Sequence, residues 1–113
     1  METIGHEQIL QNLKDARSLL EKGWTTGAAA RDKDGKIVYV GEPSAAKFCA
    51  MGAMSQVTGV NYSHQTSMEE LIRSFLGGGS ISYYNDTHTQ KDVLELFDAA
   101  IEVLELNIQE AGL

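Results

Sequence analysis

The spacing of hydrophobic and polar positions changes several times along the chain, and the most apolar stretch runs from Pro43 to Ser55. Lys47 carries the only charge in that stretch, and the apolar side chains leave no polar stripe at helical spacing. A helix that is apolar nearly all round is buried nearly all round. The pattern therefore predicts a central helix over residues 43–58, with a proline in its first turn and Gly59 after its end.

Three other segments have apolar residues at the three- and four-residue spacing of amphipathic helices. They cover residues 6–22, about residues 66–76 and residues 90–108. The second of them is expected to begin with a capping box whose first residue is Thr66 or Ser67. With the apolar stretch, the sequence predicts four helices.

Two segments favour extended structure. Residues 28–40 contain the pair Asp34–Gly35 before a β-branched run, which signals a hairpin turn. Residues 80–84 are β-prone and predict a third strand or an extended crossing segment. A turn over residues 85–89 then ends at Thr89, the expected N-cap of the last helix. The predicted fold class is α+β, with about four helices around the central helix and a small antiparallel hairpin or three-stranded sheet.

Length and composition predict one globular domain over residues 1–113. The chain is 42% hydrophobic and 22% charged, as is typical of soluble proteins. No apolar run reaches the roughly 20 residues of a membrane span. The first residues do not show the basic region followed by an apolar run that is typical of a signal peptide. A single cysteine fits a reducing compartment. We therefore expect a cytoplasmic protein.

The net charge of -7 is unevenly distributed. Residues 1–66 hold seven acids and seven bases, whereas residues 67–113 hold nine acids and only Arg73 and Lys91 as bases. An acidic surface repels nucleic acid and anionic lipid. We expect no direct binding of nucleic acid and no membrane association.

The last predicted helix separates its apolar residues from a row of carboxylates. At 100° per residue the row falls within an arc of about 80°. It consists of Glu95, Asp98, Glu102 and Glu105. Solvated helix faces commonly look like this, but lysines that would relieve the repulsion are absent after Lys91. The alternative is a binding site for a protein with a basic surface, including a nucleic-acid-binding protein.

Cys49, His88 and Asp86 supply the residue types of a thiol nucleophile, its base and the group that orients the base. The alternative is an inert thiol inside the central helix, because free cysteine is among the most buried residue types. In that case Cys49→Ser is expected to lower stability by burying a hydroxyl without a partner.

Trp24, Arg31, Asn85 and Asp86 are candidate ligand contacts near the predicted turn. The structural alternative is that the two turn residues bond nearby backbone amides and fix the docking of neighbouring elements. No metal site is expected, because the histidines and the cysteine lack the spacing of metal ligands. We also expect no cofactor, since the Gly77–Gly79 run lacks the lysine of a phosphate-binding loop.

Several short motifs occur in an order and spacing that resemble an uncharacterised family of short bacterial and phage proteins. In sequence order they are Gly23-Trp24, Arg31-Asp32-x-x-Gly35, Phe48-Cys49-x-x-Gly52-Ala53, Asn85-Asp86 and Leu96-Phe97-Asp98-x-Ala100-Ile101. The resemblance implies no known activity.

Two function classes follow from the sequence. The first is a small acidic, non-enzymatic binding or regulatory protein, encoded by a phage or mobile element, that docks on a basic surface of a host protein. The second is a small enzyme or ligand-binding domain with a pocket near Trp24, Cys49 and the turn over residues 85–88.

Overall fold

The computed structural model describes residues 5–59 and 61–111. Within this part of the chain the fold is mostly helical with a small two-stranded antiparallel sheet, which makes it roughly α+β. In chain order the elements are α1 (His6–Lys22), β1 (Ala30–Arg31), β2 (Lys47–Phe48), α2 (Ala50–Thr58), α3 (Tyr62–Ser74), α4 (Ile81–Thr87) and α5 (Gln90–Ala111).

The core lies mainly between α1, α2 and α5. Helices α1 and α5 share the most extensive contact, and α2 packs across α1. Leu13, Leu20, Met54 and Phe97 are fully buried at their junction. Across residues 5–59 and 61–111, none of the helices combines the length and apolar character that a membrane-spanning helix needs.

The helix predicted over residues 43–58 begins only at Ala50, so the prediction is wrong for residues 43–49. In this segment the backbone amides of Ala46 and Phe48 donate to the carbonyls of Arg31 (2.8 Å) and Gly23 (3.0 Å). Amides that bond to distant segments cannot form the bonds of a helix. From Ala50 onward the helix is confirmed, and much of it is buried as its composition predicts.

The predicted hairpin over residues 28–40 contributes one strand, but its partner lies elsewhere. β1 pairs antiparallel with β2, with Ala30 opposite Phe48. The expected turn does form, since the Asp32 amide donates to the Lys36 carbonyl at 2.8 Å and Gly35 has a φ of 89°. Beyond the turn, only an isolated bridge continues the pairing.

Residues 80–84, expected as a strand, belong to α4 and its N-cap. The Ser80 hydroxyl accepts a hydrogen bond from the Tyr83 amide at 3.1 Å and caps the helix. Strand preference reflects packing on a sheet more than the backbone itself, so capping and tertiary contacts override it here. Asn85 and Asp86 consequently lie in a helix and not in the expected turn.

The N-caps of α3 and α5 also decide where these helices begin. α3 begins at Tyr62, one turn before the expected capping box, because the Asn61 side chain accepts from the His64 amide at 3.1 Å. The start of α5 agrees with the sequence prediction. There the Thr89 hydroxyl accepts from the Asp92 amide (3.1 Å), and the Asp92 carboxylate accepts from the Thr89 amide (3.2 Å).

Two glycines let backbone segments approach closely around the start of α2. A Cβ at Gly52 would overlap the Ala29 carbonyl, and one at Gly23 would overlap the Ala46 carbonyl. These contacts hold the segment after α1 against α2 and bring distant motifs of the sequence together.

Candidate functional site

Asn85 occupies the centre of the region where these motifs meet, and its side chain is fully buried. Its Oδ1 accepts from the Trp24 indole N–H at 2.8 Å and from the Ala50 amide at 3.0 Å. Its Nδ2 donates to the Thr25 carbonyl and to Asp86 Oδ1, both at 3.0 Å. Two accepted and two donated bonds use the whole capacity of an amide group. Trp24 and Asn85, two of the candidate ligand contacts, are therefore hydrogen-bonded to each other.

Asp86 lies beside this network at the rim of a cleft of about 310 Å³. The cleft is bounded by Gly27–Ala29, by Cys49 and Met51, and by Ser82 and Asp86. Asp86 Oδ1 also accepts from the Gly27 amide at 3.2 Å. Among the described residues, no hydrogen bond is made by its Oδ2. We name this space the Cys49 cleft.

Cys49 is the N-cap of α2. The sequence prediction, which placed it inside a helix, is wrong on this point. Its Sγ accepts from the Gly52 amide at 3.3 Å, and only 7% of the residue is exposed. Burial raises the pKa of the thiol, and the charge of Asp86 acts in the same direction. Nearby amides, which include that of Gly52, oppose this shift of the pKa but do not outweigh burial. The thiol is therefore neutral at neutral pH and a poor nucleophile.

His88 lies away from the Cys49 cleft. Its Nδ1 is 2.9 Å from the Tyr84 carbonyl, and its ring stacks on that of Tyr84 with centroids 3.7 Å apart. His88 follows the last residue of α4 with an extended backbone, and its ring turns back onto Tyr84, whereas Asp86 borders the Cys49 cleft. No hydrogen bond joins His88 to Cys49 in the part of the chain that the structure describes. Of the three residues that the sequence offered as an alternative catalytic set, Cys49 and Asp86 share one cleft and His88 lies outside it.

His88 instead lines a second cleft, of about 390 Å³, between the end of α3 and α4. Its walls are Phe75, Leu76, Gly79, Ser80, Tyr83, Tyr84 and His88. We name it the aromatic cleft. The sequence analysis did not predict this cleft, because it assigned Tyr83 and Tyr84 to a strand. The signal that could have indicated a helix is Ser80, a residue type that commonly caps helices.

Arg31 closes the turn that follows β1. Its guanidinium donates to the carbonyls of Gly35 (3.0 Å) and Thr26 (3.2 Å). Within residues 5–59 and 61–111, no cluster of three or more histidine, cysteine or acidic side chains is placed to hold a metal ion.

Part of the predicted carboxylate row is paired with bases from α1. Arg17 Nη2 donates to Asp98 Oδ2 at 3.2 Å, and Lys14 Nζ is 3.2 Å from Glu105 Oε2. The hydrogen bond with Asp98 raises the pKa of Arg17 above its ordinary value. No pattern along the sequence indicates these pairs, because the bases belong to a helix some 80 residues earlier.

The outward side of α5 keeps the remaining carboxylates. Glu95 lies 3.9 Å from Lys91, with both side chains mostly exposed, and Glu102 forms no salt bridge to any described residue. Val103 and Leu106 are 37% and 52% exposed beside them. We name Glu95, Glu102, Val103 and Leu106 the outer strip of α5. It extends about 16 Å along the helix axis.

Comparison with known proteins places the chain in a protein family. The model of a family described as "Family of unknown function (DUF6197)" matches residues 5–103. That range includes the Asn85 network, both named clefts and all of the outer strip except Leu106. Neither the curated proteins nor the solved structures gave a match to the chain.

Proposed function

The chain belongs to DUF6197, a family of unknown function, and we propose that it is a non-enzymatic binding protein that docks on a basic surface of a partner protein. The observation that carries the proposal is the outer strip of α5, where exposed apolar side chains adjoin carboxylates that α1 does not neutralise. The outer strip binds a basic amphipathic segment of the partner, and nucleic-acid-binding proteins are one class of partner with such a segment.

The ion pairs divide the predicted carboxylate row into two parts. Asp98 and Glu105 hold α1 against α5 and offer less charge to a partner. Glu95 and Glu102 are free of α1, and the apolar groups of Val103 and Leu106 add surface that gains free energy when it leaves water. Single exposed apolar residues are ordinary, whereas two of them beside carboxylates that α1 does not neutralise suit a ligand that is both basic and apolar.

The charge distribution of the whole chain supports the same partner. The excess of acids after residue 66 creates a negative field around α5 that speeds encounter with a basic molecule. Exposed charges are screened beyond about 8 Å at physiological salt. Association should therefore slow as the salt concentration rises.

A designed peptide that carries both basic and apolar groups tests the proposal. The probe is a lysine- and leucine-containing amphipathic helix of about four turns, labelled for fluorescence anisotropy. Glu102→Gln/Leu106→Ala should weaken binding about three- to tenfold, because it removes one ion pair and one apolar contact. Far-UV circular dichroism should be unchanged.

The matched control is Glu7→Gln/Ile37→Ala, which removes one exposed acid and one exposed apolar side chain elsewhere. It should bind the probe as the natural chain does. An equal loss of affinity in both variants, or binding that is indifferent to salt, would show that α5 is merely a solvated helix.

The Cys49 cleft favours a second candidate function, the binding of a small cationic ligand. Asp86 Oδ2 is available at the rim, and Ser82 supplies a hydroxyl next to it. Addition of ethylammonium should produce saturable NMR shifts of the Gly27 and Ser82 amides, and Asp86→Asn should abolish them. Shifts that persist in the variant would exclude this function.

Two further proposals concern the biological context of the chain. It is expected to be encoded by a phage or mobile element, where it acts as a regulator of a host protein, and to work in the cytoplasm. The first rests on the resemblance to short bacterial and phage proteins, and the second on the single cysteine.

A further inference from the structure

Two exposed aromatic side chains border the aromatic cleft. Tyr83 is 70% exposed and Phe75 is 39% exposed, and the two side chains border the same space of about 390 Å³. The volume suits one long side chain and not a folded domain.

Two walls of the cleft, Tyr84 and His88, are held in place by contacts with each other. Tyr84 and His88 are stacked with an interplanar angle of 17°, and His88 is also held by the Tyr84 carbonyl. Gly77 and Gly78 have φ values of 65° and 86°, which glycine adopts without strain, and they turn the chain sharply from α3 toward α4. A cleft that needs no ordering loses less entropy when a ligand binds.

Charge identifies the kind of side chain that fits. The pKa of Tyr84 is raised by burial first, and then by the charges of Asp92 and Glu95 on α5. Aromatic faces are themselves regions of negative potential, which attract cations. Two bases lie close enough to act on Asp92, namely His88 and Lys91, and the latter is 3.9 Å from Glu95.

We propose that the aromatic cleft receives an arginine side chain of the basic partner. The planar guanidinium stacks on the exposed rings of Tyr83 and Phe75, and its charge faces Asp92 and Glu95. Arginine fits better than lysine because it is planar and more weakly hydrated. The inference rests on the proposed function for the basic character of the partner, and it adds a second anchor beyond the outer strip of α5.

The test is an NMR titration of the full chain with N-acetyl-arginine methylamide. Saturable shifts are expected for the amides of Gly79 and Ser80, which border the cleft. Tyr83→Ala should weaken binding about two- to fivefold, as expected for loss of one exposed cation–π contact. The matched control is Tyr62→Ala, which removes a tyrosine that is 77% exposed on the first turn of α3.

Two further probes separate the alternative occupants. The neutral citrulline derivative should bind more weakly than the arginine derivative, and N-acetyl-phenylalanine methylamide should not compete with it. Equal binding of the citrulline derivative, stronger binding of the phenylalanine derivative, or no loss in Tyr83→Ala would overturn the inference.

The docking variant Glu102→Gln/Leu106→Ala keeps every side chain of the aromatic cleft. It should bind the arginine derivative as the natural chain does. If the natural chain does not bind the peptide but binds the arginine derivative, only the proposal of docking on α5 is rejected. If it binds the peptide but not the arginine derivative, only the arginine site is rejected.

Discussion

The side-chain amide of Asn85 joins three segments that lie far apart in the sequence. Asn85→Ala leaves the Trp24 indole N–H and the Ala50 amide without their partner. Because each unsatisfied buried group costs about 1–3 kcal/mol, the free energy of unfolding should fall by about 3 kcal/mol. Urea denaturation measures this change.

Asn12 provides the control for that substitution. It is the other buried asparagine among the described residues, at 5% exposure, and its Oδ1 accepts one bond from Gln8 within the same helix. Asn12→Ala should therefore cost less than Asn85→Ala. Equal costs would mean that the Asn85 network is not a special link between the segments.

Substitution of Cys49 distinguishes the cap from a simple packing residue. The sequence, which places Cys49 inside a helix, leads us to expect a penalty for serine. At the N-cap a serine hydroxyl can accept from the Gly52 amide in place of Sγ. Cys49→Ser should thus be more stable than Cys49→Ala by about 1 kcal/mol in urea denaturation. Equal stability of the two variants would contradict the capping role.

The reactivity of the Cys49 thiol should follow its raised pKa. At pH 8 the native chain should react with iodoacetamide more slowly than the chain unfolded in urea, and its rate should continue to rise above about pH 9, where the unfolded thiol levels off. The neutral thiol stabilises the fold below the unfolded pKa, and this contribution is lost as the pH rises through the folded pKa. Mass spectrometry gives the rates. Rapid native modification at pH 7 would revive the nucleophile hypothesis.

At the scale of elements, the stabilisation that the N-terminal cap of α5 provides depends on pH. Hydrogen bonds from the Thr89 amide and hydroxyl lower the pKa of Asp92 below its ordinary value. A lowered folded pKa means that the stabilisation is present above the unfolded pKa and is lost as the pH falls through the folded value. Asp92→Asn should lower Tm at pH 7, and the difference from the natural chain should shrink below about pH 4.

Glu102→Gln is the control for the cap, since that carboxylate lies in the middle of α5 without a salt bridge to any described residue. Its Tm difference should stay small across the same pH range. If the Tm difference between Asp92→Asn and the natural chain does not change with pH, the substitution acts by disturbing the geometry of the cap and not by removing its charge.

At the scale of the whole molecule, the hydrogen bonds between distant segments favour cooperative unfolding. The Trp24 indole is bonded to a residue 61 positions later, and α1, α2 and α5 share one core. Trp24 fluorescence and far-UV circular dichroism should therefore report the same urea midpoint. Two separate midpoints would argue against the single domain that the length of the chain predicts.

The clefts also depend on this whole-molecule arrangement. The Cys49 cleft needs the segments around Gly27, Cys49 and Asp86 to meet, and the approach at Gly52 allows them to do so. The sequence singled out two of the wall residues but joined them with His88. The separation of these two residues from His88 depends on α4 being helical, whereas the β-prone residues of this segment favoured a strand.

What the sequence determined by itself is the part of the fold that local patterns specify. The periodicity of α1 and α5, the cap at Thr89, the turn at Gly35 and the apolar composition of α2 are all patterns of residues a few positions apart.

Tertiary structure alone decided the start of α2, the partner of β1, the bonds of Asn85 and the ion pairs that partly neutralise α5. Each of these depends on groups from distant parts of the chain, and hydrogen bonds or charges of that kind leave no periodic signal along the sequence. Where such a bond competes with a local preference, as it does for residues 43–49, the backbone follows the bond because an amide can be satisfied only once.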